Sequence, residues 1–360
     1  MLVFLSHYPE DITDVRDGMT QRIAAIDSIF KDVERVYLKI DFRGNKRHRV
    51  RTSGLVRVDS LNWFLHHRYI LQTVRRARWV YIHSMHNAVY LLPYLRLLRE
   101  KLIVDLHGIV PEETLFLGKP TWARVLGRAE RGAVDNARLV IVVTQRMADH
   151  LLSKHGGRMD PSRVVLFPNV SLGHQMAMER PVEDRARGGI RLIYAGTAGT
   201  WQKTDLMLQT LRRLTILHTE LQACLYVHQG SVTGLQREVT QLGLNSSVSV
   251  GSLSHDQILK QYQSADAGFV LREDILLNQV AMPTKLAEYM SHGVVPIVLS
   301  PDLGDFMQWG YRYLTIEDLF SPEKMNPAVL HTMRVTNYRI MADISSQAAK
   351  AKMVLESVIN

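Results

Sequence analysis

The chain has 360 residues, a length typical of two domains, and its 46% apolar and 22% charged residues are those of an ordinary globular protein. This composition excludes intrinsically disordered, collagen-like and low-complexity proteins. The single cysteine, Cys224, excludes an internal disulfide and fits a reducing compartment. Because no run of 18 apolar residues occurs and the first residues lack a basic start, we expect neither a membrane-spanning helix nor a signal peptide.

The net charge of +9 is concentrated in the first half of the chain. Residues 1–170 carry 27 Lys and Arg against 17 Asp and Glu, a balance of +10, whereas residues 171–360 carry 17 against 18. The excess is largest over 51–100, with eight basic and two acidic residues. A basic half indicates a nucleic acid, an anionic membrane surface or an acidic ligand as a partner.

Short apolar runs rich in β-branched residues alternate with amphipathic stretches along the first half. This pattern is typical of buried parallel strands connected by helices. The predicted strands are 2–6, 35–40, 55–60, 79–84, 102–107, 139–144 and 163–167, and the predicted helices are 18–31, 61–77, 86–100, 121–137 and 145–155. The alternation favours an α/β fold with a doubly wound sheet.

A second alternating set follows a segment of weak periodicity that contains a proline and glycines. Its predicted strands are 190–196, 221–229, 248–251, 267–271 and 294–300, and its predicted helices are 202–217, 231–242, 254–264, 283–292 and 326–358. The predicted parts are an N-terminal domain over 1–170, a linker over 171–189, a C-terminal domain over 190–340 and a C-terminal helix over 341–360 that packs back toward the N-terminal domain. Two facing sheets leave a cleft at the carboxyl ends of their strands, where ligands bind.

Three places in the sequence have features of a diphosphate site. Pro283 is a helix-start signal, and the amides of Thr284 and Lys285 would point out of that start; an ordinary capped helix explains the same residues. The glycines of the turn 195–203 would admit a phosphate, although a plain tight turn explains them equally. Gly18, before the first helix, is the third place, and a simple turn is its alternative.

Two further features have both a functional and a structural interpretation. His107 ends a predicted strand, which places it at the rim of the cleft, but most histidines are structural or solvated. The helix 61–77 mixes aromatic residues with arginines, so it could lie on anionic lipid or be a core helix with a solvated basic face. No spacing of His, Asp and Glu indicates a metal site, and neither a G-x-S-x-G nor an H-E-x-x-H motif occurs.

Six segments occur in a characteristic order along nearly the whole chain. They are DVRDGMTQRIAAID, LIVDLHGIVPEE, VVLFPNVS, IRLIYAGTAGTWQKTDLML, VSVGSLSHDQILKQYQSADAGFVL and MPTKLAEYMSHGVVPIVLS. Together they resemble the retaining nucleotide-sugar glycosyltransferases of glycosyltransferase family 4, and the last two segments are the most specific. The resemblance implies the GT-B fold, in which two Rossmann-like, doubly wound domains face each other across a cleft.

The resemblance also implies roles for individual residues. His107 would face the donor sugar, and Lys203 would contact the diphosphate. The implied donor-binding residues are Gly18, Gly196 and Thr197 near the diphosphate, Gly251, Ser252 and Leu253 at the base, Thr284 and Lys285 at the diphosphate, and Glu288 at the ribose hydroxyls. These roles follow from matching positions and not from composition or spacing.

The sequence departs from the family pattern at two positions. The family has two glutamates with seven residues between them, and counting back from Glu288 places the first at Val280. We expect Glu273, or its neighbour Asp274, to supply the missing carboxylate as a catalytic group from a longer loop. Thr197 stands where an arginine often follows the glycine, which leaves Lys203 as the main side-chain cation there.

The resemblance implies a metal-independent transfer of a hexose, without a cofactor, from a nucleotide-sugar. A UDP-sugar is the first expectation and a GDP-sugar the second. The expected acceptor is a glycan or lipid-linked glycan in bacterial surface polysaccharide synthesis, such as lipopolysaccharide. The basic N-terminal half is expected to hold a cytoplasmic protein peripherally on the inner face of the membrane.

Three rival functions remain open at this point. Val280 motivates a non-catalytic GT-B scaffold for a partner glycosyltransferase. A sugar-nucleotide epimerase on the same fold is the second rival, but the Pro-Thr-Lys helix start and the basic first half favour the transferase over it. The basic half would also allow nucleic-acid binding, but no recognition motif supports it, so we expect no nucleic acid as a partner.

Overall fold

A computed structural model describes residues 1–9, 18–169, 189–198 and 202–359, and it divides the chain into two compact units. Unit 1 comprises Met1–Asn169 and Gln347–Asn360, and unit 2 comprises Val170–Ser346. The predicted linker over 171–189 lies outside the described residues except for its last residue. Among the described helices, none combines the length and the apolar character that a bilayer crossing requires.

Unit 1 is built on one sheet of eight strands. Its strands are β1 (Leu2–Leu5), β2 (Arg35–Asp41), β3 (Arg49–Ser53), β4 (Val56–Asn62), β5 (Trp79–His83), β6 (Leu102–Leu106), β7 (Ala137–Val142) and β8 (Val164–Leu166). Its helices are α1 (Gly18–Ile29), α2 (Trp63–Arg76), α3 (Ser84–Ala88), α4 (Val110–Phe116), α5 (Pro120–Asn136) and α6 (Gln145–His155). The strand order is β3-β4-β2-β1-β5-β6-β7-β8, and all neighbours are parallel except β3 and β4.

Unit 2 has a parallel sheet of six strands. Its strands are β9 (Arg191–Ala195), β10 (Gln222–Tyr226), β11 (Val248–Gly251), β12 (Ala267–Val270), β13 (Val295–Val298) and β14 (Leu314–Thr315), in the order β11-β10-β9-β12-β13-β14. Its helices are α7 (Thr204–Leu217), α8 (Gln229–Gln241), α9 (His255–Tyr262), α10 (Leu276–Gln279), α11 (Thr284–Ser291) and the first part of α12 (Pro327–Ile359). The last residues of α12 belong to unit 1. The predicted α/β fold with two parallel sheets is confirmed.

The central strands of both sheets consist of buried apolar residues because helices cover both faces of a parallel sheet. In β1 all four residues are buried, and Phe4 stacks on Tyr37 of β2 with ring centroids 4.7 Å apart. On the other side Phe4 packs against Tyr81 of β5 at 4.9 Å. These rings form the floor beneath the carboxyl edge of the unit 1 sheet.

The predicted helix over 86–100 is wrong. The structure has the short helix α3, which ends at Ala88, followed by 3-10 turns at Val89–Leu91 and Leu95–Leu98. Pro93 lies between the two turns, and a proline cannot donate the backbone hydrogen bond that a continuous helix needs there.

The strand β3 gave no sequence signal because all five of its residues are exposed. It lies at the edge of the sheet and pairs antiparallel with β4, so neither of its faces contributes an apolar run. The short elements α4, α10 and β14 were missed because two to seven residues are too few to establish a period.

A close contact in the core of unit 2 requires a glycine at position 268. Gly268 of β12 faces the ring of Tyr289 on α11, and a Cβ at this position would lie 2.4 Å from a ring carbon. The Tyr289 hydroxyl also accepts a hydrogen bond of 3.3 Å from the amide of Ala195. The ring is therefore fixed and cannot yield to an added methyl group.

We expect Gly268→Ala to lower the free energy of unfolding by about 1–3 kcal/mol, the usual cost of overpacking a core. The measurement is the thermal melting temperature of purified protein. Gly234→Ala is the matched control, because this exposed position on α8 has nothing within 4 Å of the new Cβ. The control should gain about 0.5–1 kcal/mol. An unchanged melting temperature for Gly268→Ala would contradict the contact.

Candidate functional site

A buried ion pair lies beneath the carboxyl edge of the unit 1 sheet. Asp105 of β6 accepts two hydrogen bonds from Arg22 of α1, at 3.0 Å from Nε and 2.8 Å from Nη2. Nη1 of Arg22 donates to the carbonyl oxygen of Phe167 at 2.7 Å, and the guanidinium lies over the Phe167 ring. Burial opposes the charge of Asp105, but attraction to Arg22 together with the hydrogen bonds from His83 and Arg22 outweighs it and holds the pKa of that carboxyl well below its usual range.

Two histidines extend from this ion pair toward the edge of the sheet. Nδ1 of His83, at the end of β5, lies 3.6 Å from the carboxylate of Asp105 and 3.2 Å from the hydroxyl of Tyr81. The ring of His107 stacks on that of His83 with centroids 4.5 Å apart. Burial, with a smaller contribution from the charge of His83, lowers the pKa of His107 to about 3. His107 is therefore neutral at physiological pH.

Among the residues that the structure describes, three buried polar atoms of this edge have no hydrogen-bond partner. They are Nε2 of His83, Oγ of Ser84 and Nδ1 of His107. Ser84 also has a φ of 65°, in the left-handed region that costs energy for a residue with a side chain. Unsatisfied buried polar atoms beside backbone strain are typical of a place where a polar ligand completes the hydrogen bonding.

Sequence reasoning found His107 but missed His83, Ser84 and their ion-paired support. A usable signal was present, because His83 ends the apolar run WVYIH just as His107 follows LIVDL. Both strands are parallel and adjacent, with His83 opposite Asp105 in the register. Two histidines at the ends of neighbouring parallel strands therefore meet at one edge of the sheet.

Within the described residues, His83, Asp105 and His107 form a group whose potential ligand atoms all lie within 4.8 Å of one another. Sequence reasoning missed this group, because its residues lie at the ends of two different strands. The carboxylate of Asp105 already faces the guanidinium of Arg22, and a divalent cation here would be repelled by that buried charge. The arrangement fits a hydrogen-bonded support better than a metal centre.

The candidate diphosphate site of unit 2 lies where helix α11 begins beside the turn after β9. Nζ of Lys285 lies 3.8 Å from the centroid of the Tyr194 ring, and 3.5 Å from Oε1 of Gln202. A Cβ on Gly196 would lie 2.6 Å from that Nζ, so glycine is what allows the lysine to cross the turn. The first amides of α11 have no acceptor within the helix. Backbone donors and a cation therefore meet at one point.

The ammonium group of Lys285 is buried beside another positive charge. Burial lowers the pKa of Lys285 well below its usual value, and the charge of Arg272 lowers it further. Glu288 opposes this shift only in part. Lys203, at the start of α7, is ion-paired with Glu273. An incoming anion would relieve the repulsion between Lys285 and Arg272, and Arg272 is the residue that sequence reasoning missed.

Glu288, the residue predicted to bind the ribose, is positioned by an aromatic neighbour. The hydroxyl of Tyr262 donates to Oε2 of Glu288 at 3.0 Å, and its ring meets the edge of Tyr289 at 5.1 Å. Of the predicted base-binding residues, Gly251 ends β11 and Ser252 and Leu253 follow it, and all three are partly exposed. Their backbone groups can reach a ligand, and their predicted role remains a prediction.

The structure places the predicted residues in two groups. The carboxyl side of the unit 2 sheet carries Gly196, Thr197, Lys203, Gly251, Ser252, Leu253, Glu273, Thr284, Lys285 and Glu288. His107 and Gly18 belong to unit 1, where Gly18 opens α1. Residues 10–17 and 199–201 lie outside the described residues.

Val280 and its candidate replacements occupy different environments. Val280 follows α10 and is 3% exposed, so an apolar side chain suits this position. Glu273 is partly exposed on the loop after β12, within reach of Lys203. Asp274 accepts a hydrogen bond of 2.8 Å from Gln279. Of the two carboxylates, Glu273 is the one joined to a predicted site residue.

Residues 32–170 match the model of Glycosyltransferase Family 4. The resemblance to this family is thereby confirmed for most of unit 1. A search of curated proteins found no match to the sequence.

Solved structures match nearly the full length of the chain. Anabaena HepE in complex with UDP has a TM-score of 0.67 at 14% identity over 99% of each chain. Sucrose-phosphate synthase from Thermosynechococcus elongatus has a TM-score of 0.68 at 12% identity over 99% of this chain and 98% of that one. Trehalose 6-phosphate synthase from Burkholderia multivorans gives 0.63 at 10% identity over 100% and 99%. These likenesses show the fold, and the predicted GT-B fold is confirmed.

The depressed pKa of His107 predicts a pH dependence of stability. Between about pH 6.5 and 3 the unfolded chain binds a proton at this residue that the native state does not bind. Stability therefore falls with decreasing pH, by at most about 1.4 kcal/mol per pH unit. His107→Gln should remove this part of the slope, measured as urea midpoints from pH 7 to 4. His67→Gln, an exposed exchange on α2, is the control. An equal slope in both variants would refute the burial of His107 as its cause.

Proposed function

We propose that the chain is a glycosyltransferase that takes a hexose from a UDP-sugar. The observation that carries this proposal is the position of Lys285 at the start of α11, where its ammonium group lies 3.8 Å from the centroid of the Tyr194 ring and a Cβ on Gly196 would lie 2.6 Å from it. A diphosphate brings negative charge to this point, where helix amides and the helix dipole also favour an anion. The family match over residues 32–170 supports transfer of a sugar as the reaction.

The choice of nucleotide rests on a relative of the same fold. HepE was solved with UDP, with UDP and glucose, and with UDP-glucose. In this chain the backbone of residues 251–253 would hold the base, and Glu288, oriented by Tyr262, would accept hydrogen bonds from the ribose. A GDP-sugar is the second choice.

In the proposed reaction, cations that stabilise the leaving diphosphate matter more than a general base. As the bond from the sugar to the diphosphate breaks, Lys203, Lys285 and Arg272 balance the charge that develops on the leaving oxygen, without a metal or other cofactor. The acceptor attacks the same face of an oxocarbenium-like sugar, and a donor phosphate oxygen takes its proton, so the configuration is retained. Neutral His107 faces the donor sugar, and Glu273 supplies the carboxylate near it.

The proposed acceptor is a glycan or lipid-linked glycan of bacterial surface polysaccharide synthesis, such as lipopolysaccharide. An anionic membrane would attract residues 1–170, whose formal net charge is +10. Helix α2 offers one contact, because Phe64 and Leu65 are 61% and 64% exposed and its last turn carries Arg75 and Arg76. The protein would then be cytoplasmic and peripheral on the inner face of the membrane, with no nucleic-acid partner.

Removing the ammonium group of Lys285 tests the donor site. We expect Lys285→Met to raise the Kd for UDP about 10–100-fold, the effect of losing one hydrogen bond between charged groups. Isothermal titration measures the Kd. Lys260→Met, an exposed exchange on α9 away from the carboxyl edge, should bind as the wild type does. Equal affinities for all three proteins would remove Lys285 from the site.

The depressed pKa of Lys285 also predicts proton uptake on binding. In the free protein this lysine loses its proton at a lower pH than an ordinary lysine, and the diphosphate restores the charged form. Above about pH 7.5, where the phosphates no longer titrate, the affinity for UDP should fall as pH rises. Titrations in two buffers of different ionisation enthalpy measure the protons taken up. The uptake should disappear in Lys285→Met; uptake that persists there belongs to another group.

A second candidate function follows from Val280, which is buried where the family carries a carboxylate. A GT-B protein without this group could act as a non-catalytic scaffold for a partner glycosyltransferase. Hydrolysis of UDP-glucose without an acceptor distinguishes the two functions. Slow release of glucose that is lost in Lys285→Met supports the enzyme, whereas binding of UDP without any turnover supports the scaffold.

A further inference from the structure

The turn between α4 and α5 carries an exposed apolar cluster, which we call the apolar tip: Leu115, Phe116, Leu117 and Trp122. Their exposed fractions are 57%, 54%, 64% and 39%. All eight residues from 115 to 122 are exposed. Large apolar side chains gathered at one place on a surface mark a site of interaction with another apolar phase.

The apolar tip stands on a rigid base. Gly118 has a φ of 72°, which lets the chain reverse, and the amide of Lys119 donates to the carbonyl oxygen of Thr114 at 3.1 Å. Below the turn, Nζ of Lys154 on α6 lies 2.6 Å from Glu112 of α4 and 2.5 Å from Glu130 of α5. The exposure is therefore built into a fixed helix pair.

The exposed charges of the turn and of α5 up to residue 134 have one sign. Between residues 114 and 134 the basic residues are all exposed: Lys119, Arg124, Arg128 and Arg131. The three arginines follow one another at spacings of four and three, which places them on one face of α5. The acidic residue of this stretch, Glu130, is fully buried and paired with Lys154. The outer surface is thus apolar at its end and cationic along its side.

We propose that the apolar tip inserts into the headgroup region of an anionic bilayer, with Lys119, Arg124 and Arg128 at the lipid phosphates. Leucine, phenylalanine and tryptophan beside basic residues suit this interface. A second copy of the chain fits less well, because a symmetric contact would bring the same cations together. The inference rests on the membrane association in the proposed function and adds a contact site separate from α2.

The test is cosedimentation with vesicles of 30% phosphatidylglycerol and 70% phosphatidylcholine. Wild-type protein should bind these vesicles and bind pure phosphatidylcholine at least tenfold less. The double variant Leu115→Ser/Leu117→Ser should lower the partition coefficient at least tenfold. Its matched control is Ile216→Ser/Leu217→Ser, an equally exposed apolar pair at the end of α7 in unit 2, which should stay within twofold of wild type.

Charge variants and a ligand assay complete the test. Lys119→Gln/Arg124→Gln should weaken binding to the anionic vesicles, and added salt should weaken wild-type binding in the same way. Every variant should keep the wild-type affinity for UDP, which shows that unit 2 is folded and keeps the donor site separate from the membrane result.

Each remaining outcome has a definite meaning. If the tip variant binds vesicles as the wild type does, or the control pair loses as much, the inference is wrong. If binding is lost only in Phe64→Ser/Leu65→Ser, membrane association stands through α2 alone. If the wild type binds no vesicles, the membrane proposal fails as well, while the UDP assay still judges the transferase. If the tip variant converts a dimer to a monomer by light scattering, the partner is a second copy.

Discussion

The ion pair between Arg22 and Asp105 is the interaction on which the carboxyl edge of unit 1 depends. A buried charge costs several kcal/mol unless it is paired, and each partner here compensates the other. The guanidinium joins α1, β6 and the chain after β8 at one point. Because the carboxylate of Asp105 is already paired with Arg22, the rings of His83 and His107 stack above an ion pair that has no net charge. Breaking the ion pair would disturb the ring of His107, which faces the edge of the sheet, although neither Arg22 nor Asp105 reaches that edge.

The buried charged groups of the two units have different neighbours. In unit 1 the buried guanidinium of Arg22 has the buried carboxylate of Asp105 against it, so this ion pair carries no net charge. In unit 2 the ammonium group of Lys285 lies over the ring of Tyr194, beside the charge of Arg272. A neutral polar edge suits sugar hydroxyls, and a cationic one suits a diphosphate. The proposed placement of the diphosphate at unit 2 agrees with this difference in charge.

The sequence predicted the buried strands well because a parallel strand covered on both faces is an unbroken apolar run, as in β1 and β13. It predicted the start of α11 because Pro283 marks a helix beginning. It could not predict that Tyr194 would support Lys285, or that His83 would stack on His107. These contacts depend on strand order, which brings residues about 24 or 90 positions apart into one layer, and no local period encodes that order. The edge strand β3 was missed for the related reason that its residues face solvent.

The length of α4 sets the distance between the apolar tip and the carboxyl edge of the unit 1 sheet. Its seven residues rise about 10 Å at 1.5 Å per residue, and they separate His107 from Leu117. The polar headgroup layer on one side of a bilayer is about 5–8 Å thick. With Leu117 at the hydrocarbon boundary, the end of β6 would stand just outside that layer. A sugar carried on a lipid headgroup would meet His107 at this height without leaving its membrane.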